Sequence, residues 1–274
     1  MSLKEQRFQN AKKIENSNMS SEIHRFVNMR SNENGNAMKL LVLAGGFGTR
    51  LQSVVPEFPK ALAPVGEVPF LYFQIEHWIA QGLRSFVFLL HHQANQIIDF
   101  LKSHQNGLLK NCEVHWLVEP TPMDTGGALA YAVEQLHLSG YFLATNADTW
   151  LGTGVKDVCQ VNAPAMAVVE LCDTSRYGGV RFDDQKRVVA FHEKSDSKGA
   201  GWINAGLCHL NSELFKNWNH QPFSLERISF PALVSSGDLK AVVLNTDFID
   251  IGIPDDYFRF CRWITSNRKG PLCS

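Results

Sequence analysis

From position 38 the chain alternates short apolar runs with longer segments that are apolar along one side, and this alternation narrows its folding options more than any other feature. "KLLVLAGG" (39–46), "SFVFLL" (85–90), "CEVHWLVE" (112–119) and "YFLATNAD" (141–148) read as buried strands. Between them, "PFLYFQIEHWIAQG" sets Leu71, Ile75, Trp78 and Ile79 at helical spacing, with Gly82 as a stop, and "QANQIIDFLKSH" and "TGGALAYAVEQL" are the next helices. Strand and helix in this order need βαβ crossovers, hence an α/β fold: a Rossmann-like, mostly parallel sheet flanked by helices. Ligands of such sheets gather outside the carboxyl ends of the strands, which selects residues 45–50, 119–127 and 146–148.

After Leu151 the texture changes. "AMAVVELC", "GGVRFDD", "RVVAFHEK" and "WINAGLCHLN" read as strands, the middle two as a hairpin around residues 183–186. The expectation is a small mixed or antiparallel extension laid over the parallel half. A helix near residues 224–235, the strand "LKAVVLN", the turn "DFIDIGIPDD" and the terminal helix "DDYFRFCRWITSN" close the chain. One domain is expected over 38–268, with halves 38–150 and 151–268. Residues 1–37, rich in Asn, Ser and charge without a sustained period, read as a disordered tail. An upstream start codon chosen in error and a genuine tail are both open.

With 274 residues, 45% hydrophobic and 19% charged, the chain has material for a substantial core. A formal net charge of −1 argues against a nucleic-acid binder, which normally needs a basic face. No apolar run approaches the roughly 20 residues of a membrane span, and the first 37 residues lack the apolar centre of a signal peptide. Six cysteines without a CxxC pair signal neither a disulfide framework nor a zinc site. Together these features predict a cytoplasmic protein with reduced cysteines and no membrane or nucleic-acid partner.

The stretch "GGFGTRLQSVVPEFPKALAPV" (45–65) looks built for phosphate yet fits neither common phosphate loop: no Lys follows the glycines at P-loop spacing, and Leu51 stands where GxGxxG needs its third glycine. Gly45, Gly46 and Gly48 can still expose backbone N–H groups to anionic oxygens, with Arg50 and Lys60 adding charge; a plain βα loop is the alternative. Asp148 and Asp250, each at the end of an apolar run, should cap a helix, pair with a base or hold a hard cation. Their separation in sequence does not say whether they meet. Glu119 offers two acceptors and no donor, which suits the adjacent N1–H and N2–H₂ of guanine better than the single imide N–H of uracil or thymine; a surface salt bridge is the other option. Lys194 on an apolar strand would ordinarily point to solvent, and Asn204 would mark a bulge.

In order, "LAGGFGTRL" with "PKALAPV", "EPTPMDTGGA", "NAD", "FHEKS", "WINAG" and "FIDIGIPDDY" resemble the segments of the sugar-nucleotide pyrophosphorylases, from Lys39 to about Trp263. Within that family the chain looks most like the D-glycero-D-manno-heptose 1-phosphate guanylyltransferases, with mannose 1-phosphate guanylyltransferases the near alternative. The resemblance implies the nucleotide-diphospho-sugar transferase fold, GT-A-like, with 38–150 as the nucleotide-binding half and 151–268 as the sugar-phosphate-binding half. It implies a nucleotidyl transfer from GTP to a sugar 1-phosphate with release of pyrophosphate, assisted by Mg²⁺. Arg50, Lys60 and Asp148 would be catalytic. Leu43, Ala44, Gly45, Gly46, Gly48, Thr49, Arg50, Lys60, Glu119, Thr125, Gly126 and Gly127 would bind the nucleotide, with Arg50 and Lys60 on the triphosphate. Asp148, Gly179, Glu193, Lys194 and Asn204 would bind the sugar phosphate, and Asp148 and Asp250 the metal.

Two positions depart from the family pattern: Asp124 and Ala147 both stand where glycine is common. A catalytically idle nucleotide-sugar sensor is the rival reading, and retention of Arg50, Lys60, Asp148, Lys194 and Asp250 speaks against it. A molybdopterin-guanylyl type enzyme fits the "GTRL... PK" loop poorly. A homo-oligomer is left open.

Overall fold

A computed structural model describes residues 37–192 and 199–266. β1 (Lys39–Leu43) is apolar on both faces and lies centrally. The glycine-rich segment follows it and leads through a single tight turn at Lys60–Leu62 into a minimal hairpin, β2 (Pro64–Val65) and β3 (Val68–Pro69). α1 (Phe70–Ala80) then buries Leu71, Ile75 and Trp78 at i, i+4 and i+7. Burial of each such side chain stabilises by about 1.5–3 kcal/mol. β4 (Ser85–Leu90) is wholly buried, and α2 (Ala94–Ser103), β5 (Glu113–Val118), α3 (Asp124–Gln135) and β6 (Tyr141–Asn146) follow, close to the expected bounds.

The four long strands of this half are parallel, in the order β5-β4-β1-β6. From β1 the chain steps to β4 and β5 on one side and then returns to β6 on the other. The connections leaving β1 and β6 therefore diverge, and a crevice opens above their carboxyl ends. Leu43 and Asn146 are register partners there, and Ala147 N–H donates to Leu43 O at 2.9 Å, so the glycine loop and Asp148 start from the same edge.

β7 (Thr149–Leu151) and α4 (Val155–Gln160) lead into β8 (Ala165–Leu171), and β9 (Gly179–Phe182) and β10 (Val188–His192) form the expected hairpin. β11 (Gly201–Asn211), eleven residues long, is the seam of the molecule: it runs antiparallel to β6, β8 and β9. The antiparallel strands are therefore not laid over the parallel half. They continue its sheet, nine strands in all among the described residues, with helices packed on the faces. β11 can serve these three partners because its register shifts between Asn204 and Cys208, where Gly206 takes φ +76°.

The helix expected near 224–235 begins as one wide π turn, Leu225–Ser229, capped by the Ser224 hydroxyl, and continues as α5 (Phe230–Ser236). β12 (Lys240–Val243) extends β8 in parallel. The segment "DFIDIGIPDD", read from sequence as a turn, contains β13 (Phe248–Asp250), which pairs antiparallel with β7, and α6 (Pro254–Thr265) closes the fold. Under this small ribbon lies a separate apolar cluster of Leu51, Phe70, Trp150, Ile249, Ile251 and Phe260, which ties the glycine loop's far end to the C-terminal helix. Among the described residues no helix is long and apolar enough to cross a membrane.

Candidate active site

The β7–β13 ribbon answers whether the two aspartates meet. Its register sets Asp250 opposite Thr149, the neighbour of Asp148, and Ile251 N–H donates to Asp148 O at 3.0 Å. Between the two carboxylates sits Lys60, with Nζ 2.5 Å from Asp148 Oδ2 and 3.2 Å from Asp250 Oδ1. Pro59, in extended conformation, and the tight turn after it hold the lysine's backbone while the side chain reaches inward. Burial works against the ammonium charge, but the carboxylates outweigh it and raise the Lys60 pKa above its ordinary value. The carboxylates part company: burial opposes ionisation of both, yet Lys60 holds Asp148 below the usual range, whereas burial and the Asp148 charge push Asp250 up. Asp250 Oδ1 also accepts from Gly252 N–H at 2.7 Å, and a Cβ on Gly252 would stand 2.8 Å from that oxygen and from Lys60 Nζ. Glycine is the residue that this close approach permits.

A recess of 240 Å³ opens above this cluster, lined by Leu43, Ala44, Gly46, Gly48, Thr49, Arg50, Lys60 and Asp148. Gly48, at φ +62°, turns the loop so tightly that an added Cβ would lie 3.1 Å from Lys60 Cβ. Arg50 stands exposed at the mouth, with no ion-pair partner among the described residues, so its guanidinium is available to an incoming anion. Sequence reasoning put Arg50 and Lys60 together on a triphosphate. The structure seats Lys60 between the aspartates and leaves Arg50 at the rim.

A second recess, of 360 Å³, shares Leu43, Gly46 and Asp148 with the first and extends over Gly45, Phe47, Glu119, Met123, Asp124 and Thr125. Glu119 is 6% exposed. Its Oε2 accepts from Met123 N–H at 3.0 Å, so one of its two oxygens already has a partner. Burial raises its pKa, and the Asp124 charge adds to the rise. A Cβ on Gly45 would lie 2.8 Å from Glu119 Oε1 and 3.2 Å from His91 Cβ, so the first glycine of the loop is what lets Glu119 face the recess.

The "TGGA" turn does something other than expected. Gly126 and Gly127 N–H both donate to Phe223 O, at 2.8 and 3.0 Å, and a Cβ on Gly126 would fall 2.2 Å from the Phe223 ring. These glycines make room for a neighbouring segment, and their amides are already engaged. Thr125 lines the recess, with Oγ1 held between Glu226 Oε2 (2.6 Å) and Leu225 N–H (2.9 Å). Asp124 takes φ +59° and accepts from Thr125 N–H at 2.8 Å. Ala147, the other departure, is 3% exposed and has no positive φ, so its methyl is accommodated in the core without strain.

Asn204 Oδ1 accepts from Gly206 N–H at 3.0 Å, capping the bulge of β11 beside the Asp148 turn. Gly179 opens β9 with free space where a Cβ would be. Glu193 and Lys194 lie outside the described residues. Sequence reasoning missed Phe47, half exposed over the second recess with its ring edge-on to His91, and Gly252. It also missed Gln74, although position 74 shares the helix face of Leu71, Ile75 and Trp78, and a polar residue on an apolar face was the available signal.

A family model described as nucleotidyl transferase matches residues 39–267. D-glycero-alpha-D-manno-heptose 1-phosphate guanylyltransferase of Campylobacter jejuni is 30% identical over 228 residues, covering 81% of this chain and 98% of its own length. Mannose-1-phosphate guanylyltransferase 1 of Arabidopsis thaliana is 31% identical over 242 residues, 85% of this chain but 66% of the relative, so the chain spans about two thirds of that protein. Among solved structures, HddC from Yersinia pseudotuberculosis superposes with a TM-score of 0.74 at 33% identity, over 83% of this chain and 99% of HddC. A second HddC structure, complexed with GMP-PN, gives 0.71 at 32%, again over 83% of this chain and 99% of that one. A match that runs from the first residue of β1 past the end of the last helix, on a fold held in common with these structures, makes this chain a member of the nucleotidyl transferase family.

Proposed function

We propose that the protein joins GTP to D-glycero-D-manno-heptose 1-phosphate, releasing pyrophosphate and giving a GDP-heptose. The observation that carries the base assignment is Glu119, a buried carboxylate on the floor of the second recess. With Oε2 held by Met123 N–H, Oε1 is the acceptor left for the adjacent donors of guanine. The similarity to the Campylobacter jejuni enzyme over nearly its whole length supports the heptose.

In this reaction an oxygen of the sugar 1-phosphate attacks the α-phosphorus of GTP in line, and pyrophosphate leaves. The nucleophile is already anionic, so no general base is needed; the difficulty is to hold two polyanions together. The amides of Gly46 and Gly48 and the Arg50 guanidinium meet the triphosphate in the first recess. Asp148 and Asp250, hard oxygen donors on paired strands with a cation already seated between them, fit Mg²⁺, which takes one or two carboxylates and completes its shell with water and substrate phosphate. When bound there, Mg²⁺ supplies positive charge to phosphate oxygens. Lys60 bridges the two carboxylates and keeps them close.

The test is pyrophosphate release from GTP, UTP and dTTP with heptose 1-phosphate and with mannose 1-phosphate. GTP with the heptose should exceed the same nucleotide with mannose by at least about tenfold in kcat/KM. If mannose 1-phosphate turns over better, the chain is a mannose 1-phosphate guanylyltransferase, as its similarity to the Arabidopsis thaliana enzyme would have it. Preference for a pyrimidine nucleotide would sink the role given to Glu119.

Two variants probe the base recess. Glu119→Gln replaces one acceptor by a donor and should lower kcat/KM for GTP about 100-fold while narrowing the margin over UTP. Because the Glu119 pKa is raised, the wild-type enzyme should lose GTP affinity on acidification at a pH above the ordinary carboxylate range, and the Gln variant should lack that limb. Gly45→Ala drives a methyl against Glu119 and His91, so KM for GTP should rise about tenfold, with a smaller change in kcat.

A further inference from the structure

α1 carries Gln74 and His77, and Gln81 forms its C-cap; the three succeed one another at i, i+3 and i+7 and so lie along one face. All three grip the stretch of chain that follows β6. Gln81 Oε1 accepts from Val155 N–H at 3.2 Å. His77 Nε2 lies 3.0 Å from Leu151 O, so that nitrogen carries the proton and donates, and its ring stacks on Trp150. Gln74 Nε2 donates to two carbonyls, Asn146 O at 3.3 Å and Thr149 O at 2.8 Å. Those two oxygens stand on either side of Ala147 and Asp148, so the Gln74 amide brackets the turn that carries the Asp148 carboxylate.

The chemistry of the side chain fits that task and little else. Gln74 is 1% exposed among apolar neighbours, and its Oε1 has no hydrogen-bond partner among the described residues. A buried acceptor without a partner costs stability, and an apolar residue of the same shape would avoid that cost. What the amide alone provides is two N–H donors on one atom, aimed at two carbonyls; a glutamate has none and a methionine has none. The geometry downstream is demanding, since Asp148 Oδ2 stands 2.5 Å from Lys60 Nζ and the next residue sets the register that delivers Asp250. We propose that Gln74 is a positioning residue for Asp148: from beneath, it fixes the 146–149 turn so that both carboxylates meet at Lys60.

The proposal rests on Asp148 being a reactive-site carboxylate, and the test separates the two. Gln74→Met keeps length and volume and removes both donors. Hydrogen exchange, read on the full chain with no substrate, should show amides in 146–151 exchanging about tenfold faster while β1 and β4 are unchanged. With GTP and the preferred sugar 1-phosphate, kcat should fall about 10–100-fold and KM by no more than about twofold in either direction. Gln81→Met, which removes the acceptor of Val155 N–H farther along the same stretch of chain, should keep kcat. Should Gln74→Met melt below the assay temperature, Gln74→Asn, whose amide stops one methylene short of the turn, serves in its place. Wild-type kcat in the Gln74 variant, unchanged exchange at 146–151, or an equal loss in Gln81→Met would each overturn the proposal. Unimpaired turnover in Asp148→Asn would instead overturn the role of Asp148, whatever the exchange data show.

Discussion

Asp148→Asn should lower kcat for pyrophosphate release by about a thousandfold, with KM for GTP changed far less. The substitution is isosteric, so the turn held by Leu43 O, Ile251 N–H and Gln74 stays in place. What disappears is a negative charge that Lys60 keeps ionised well below the ordinary carboxylate range. Asp250 cannot substitute, because after the change it is the sole anionic partner of Lys60 and stays engaged with that ammonium. The fold should tolerate the loss at a cost of about 1–3 kcal/mol, since Lys60 retains one carboxylate. Steady-state kinetics across a Mg²⁺ titration, alongside a thermal melt, checks both halves. A variant with kcat within tenfold of wild type at saturating Mg²⁺ would remove Asp148 from the reaction.

Lys60→Met should be the more damaging change to the folded state. It leaves two carboxylates facing each other in a partly buried site with no cation between them, and breaking such a cluster costs about 3–5 kcal/mol. For a domain of this size that is a fall in Tm of about 10 °C. The deficit should depend on pH with a definite sign. Without Lys60, one carboxylate of the pair has a folded-state pKa above its unfolded value. Its contribution to stability is fully present below the unfolded pKa and is lost as pH rises through the folded one. In the wild-type protein the depressed Asp148 behaves oppositely: its contribution is present above the unfolded value and is lost as pH falls through the lowered one. The gap between the two proteins should therefore be widest above the raised carboxylate pKa and narrow as pH falls through the ordinary carboxylate range, and added Mg²⁺ should narrow it at neutral pH. A gap that stays constant across that range would mean that the lysine acts through packing alone.

The parallel half was legible because its information is local. β1, β4 and β6 are apolar on both faces, their helices carry apolar residues at i, i+4 and i+7, and glycine or proline marks the ends, so each element reads within a short window. Their order then dictates a crevice at the carboxyl ends of β1 and β6. The glycine loop, Glu119 and Asp148 could be singled out from sequence because each directly follows a strand of this half.

The roles within the site were harder to read, for reasons that differ from residue to residue. Lys60 beside a glycine turn suggested a triphosphate, since sequence shows the charge of a side chain and not the direction in which its backbone presents it. The Gly126 and Gly127 amides looked free because the Phe223 carbonyl that takes them is nearly 100 positions away. Gln74 passed as an ordinary helix residue. Strand β11, expected in an extension laid over the parallel half, continues the main sheet because a bulge at Gly206 lets one long strand serve several partners.

The alternation of strand and helix, the glycine loop at the first carboxyl end and the inventory of charged groups were set by the chain's local pattern. The meeting of Asp148, Asp250 and Lys60 was not. It depends on the pairing of two three-residue strands about 100 positions apart, and elements so short carry no periodicity of their own. Their register is chosen by the apolar cluster beneath them and by the Gln74 and Leu43 contacts to the turn, and those interactions exist only once the rest of the sheet has formed.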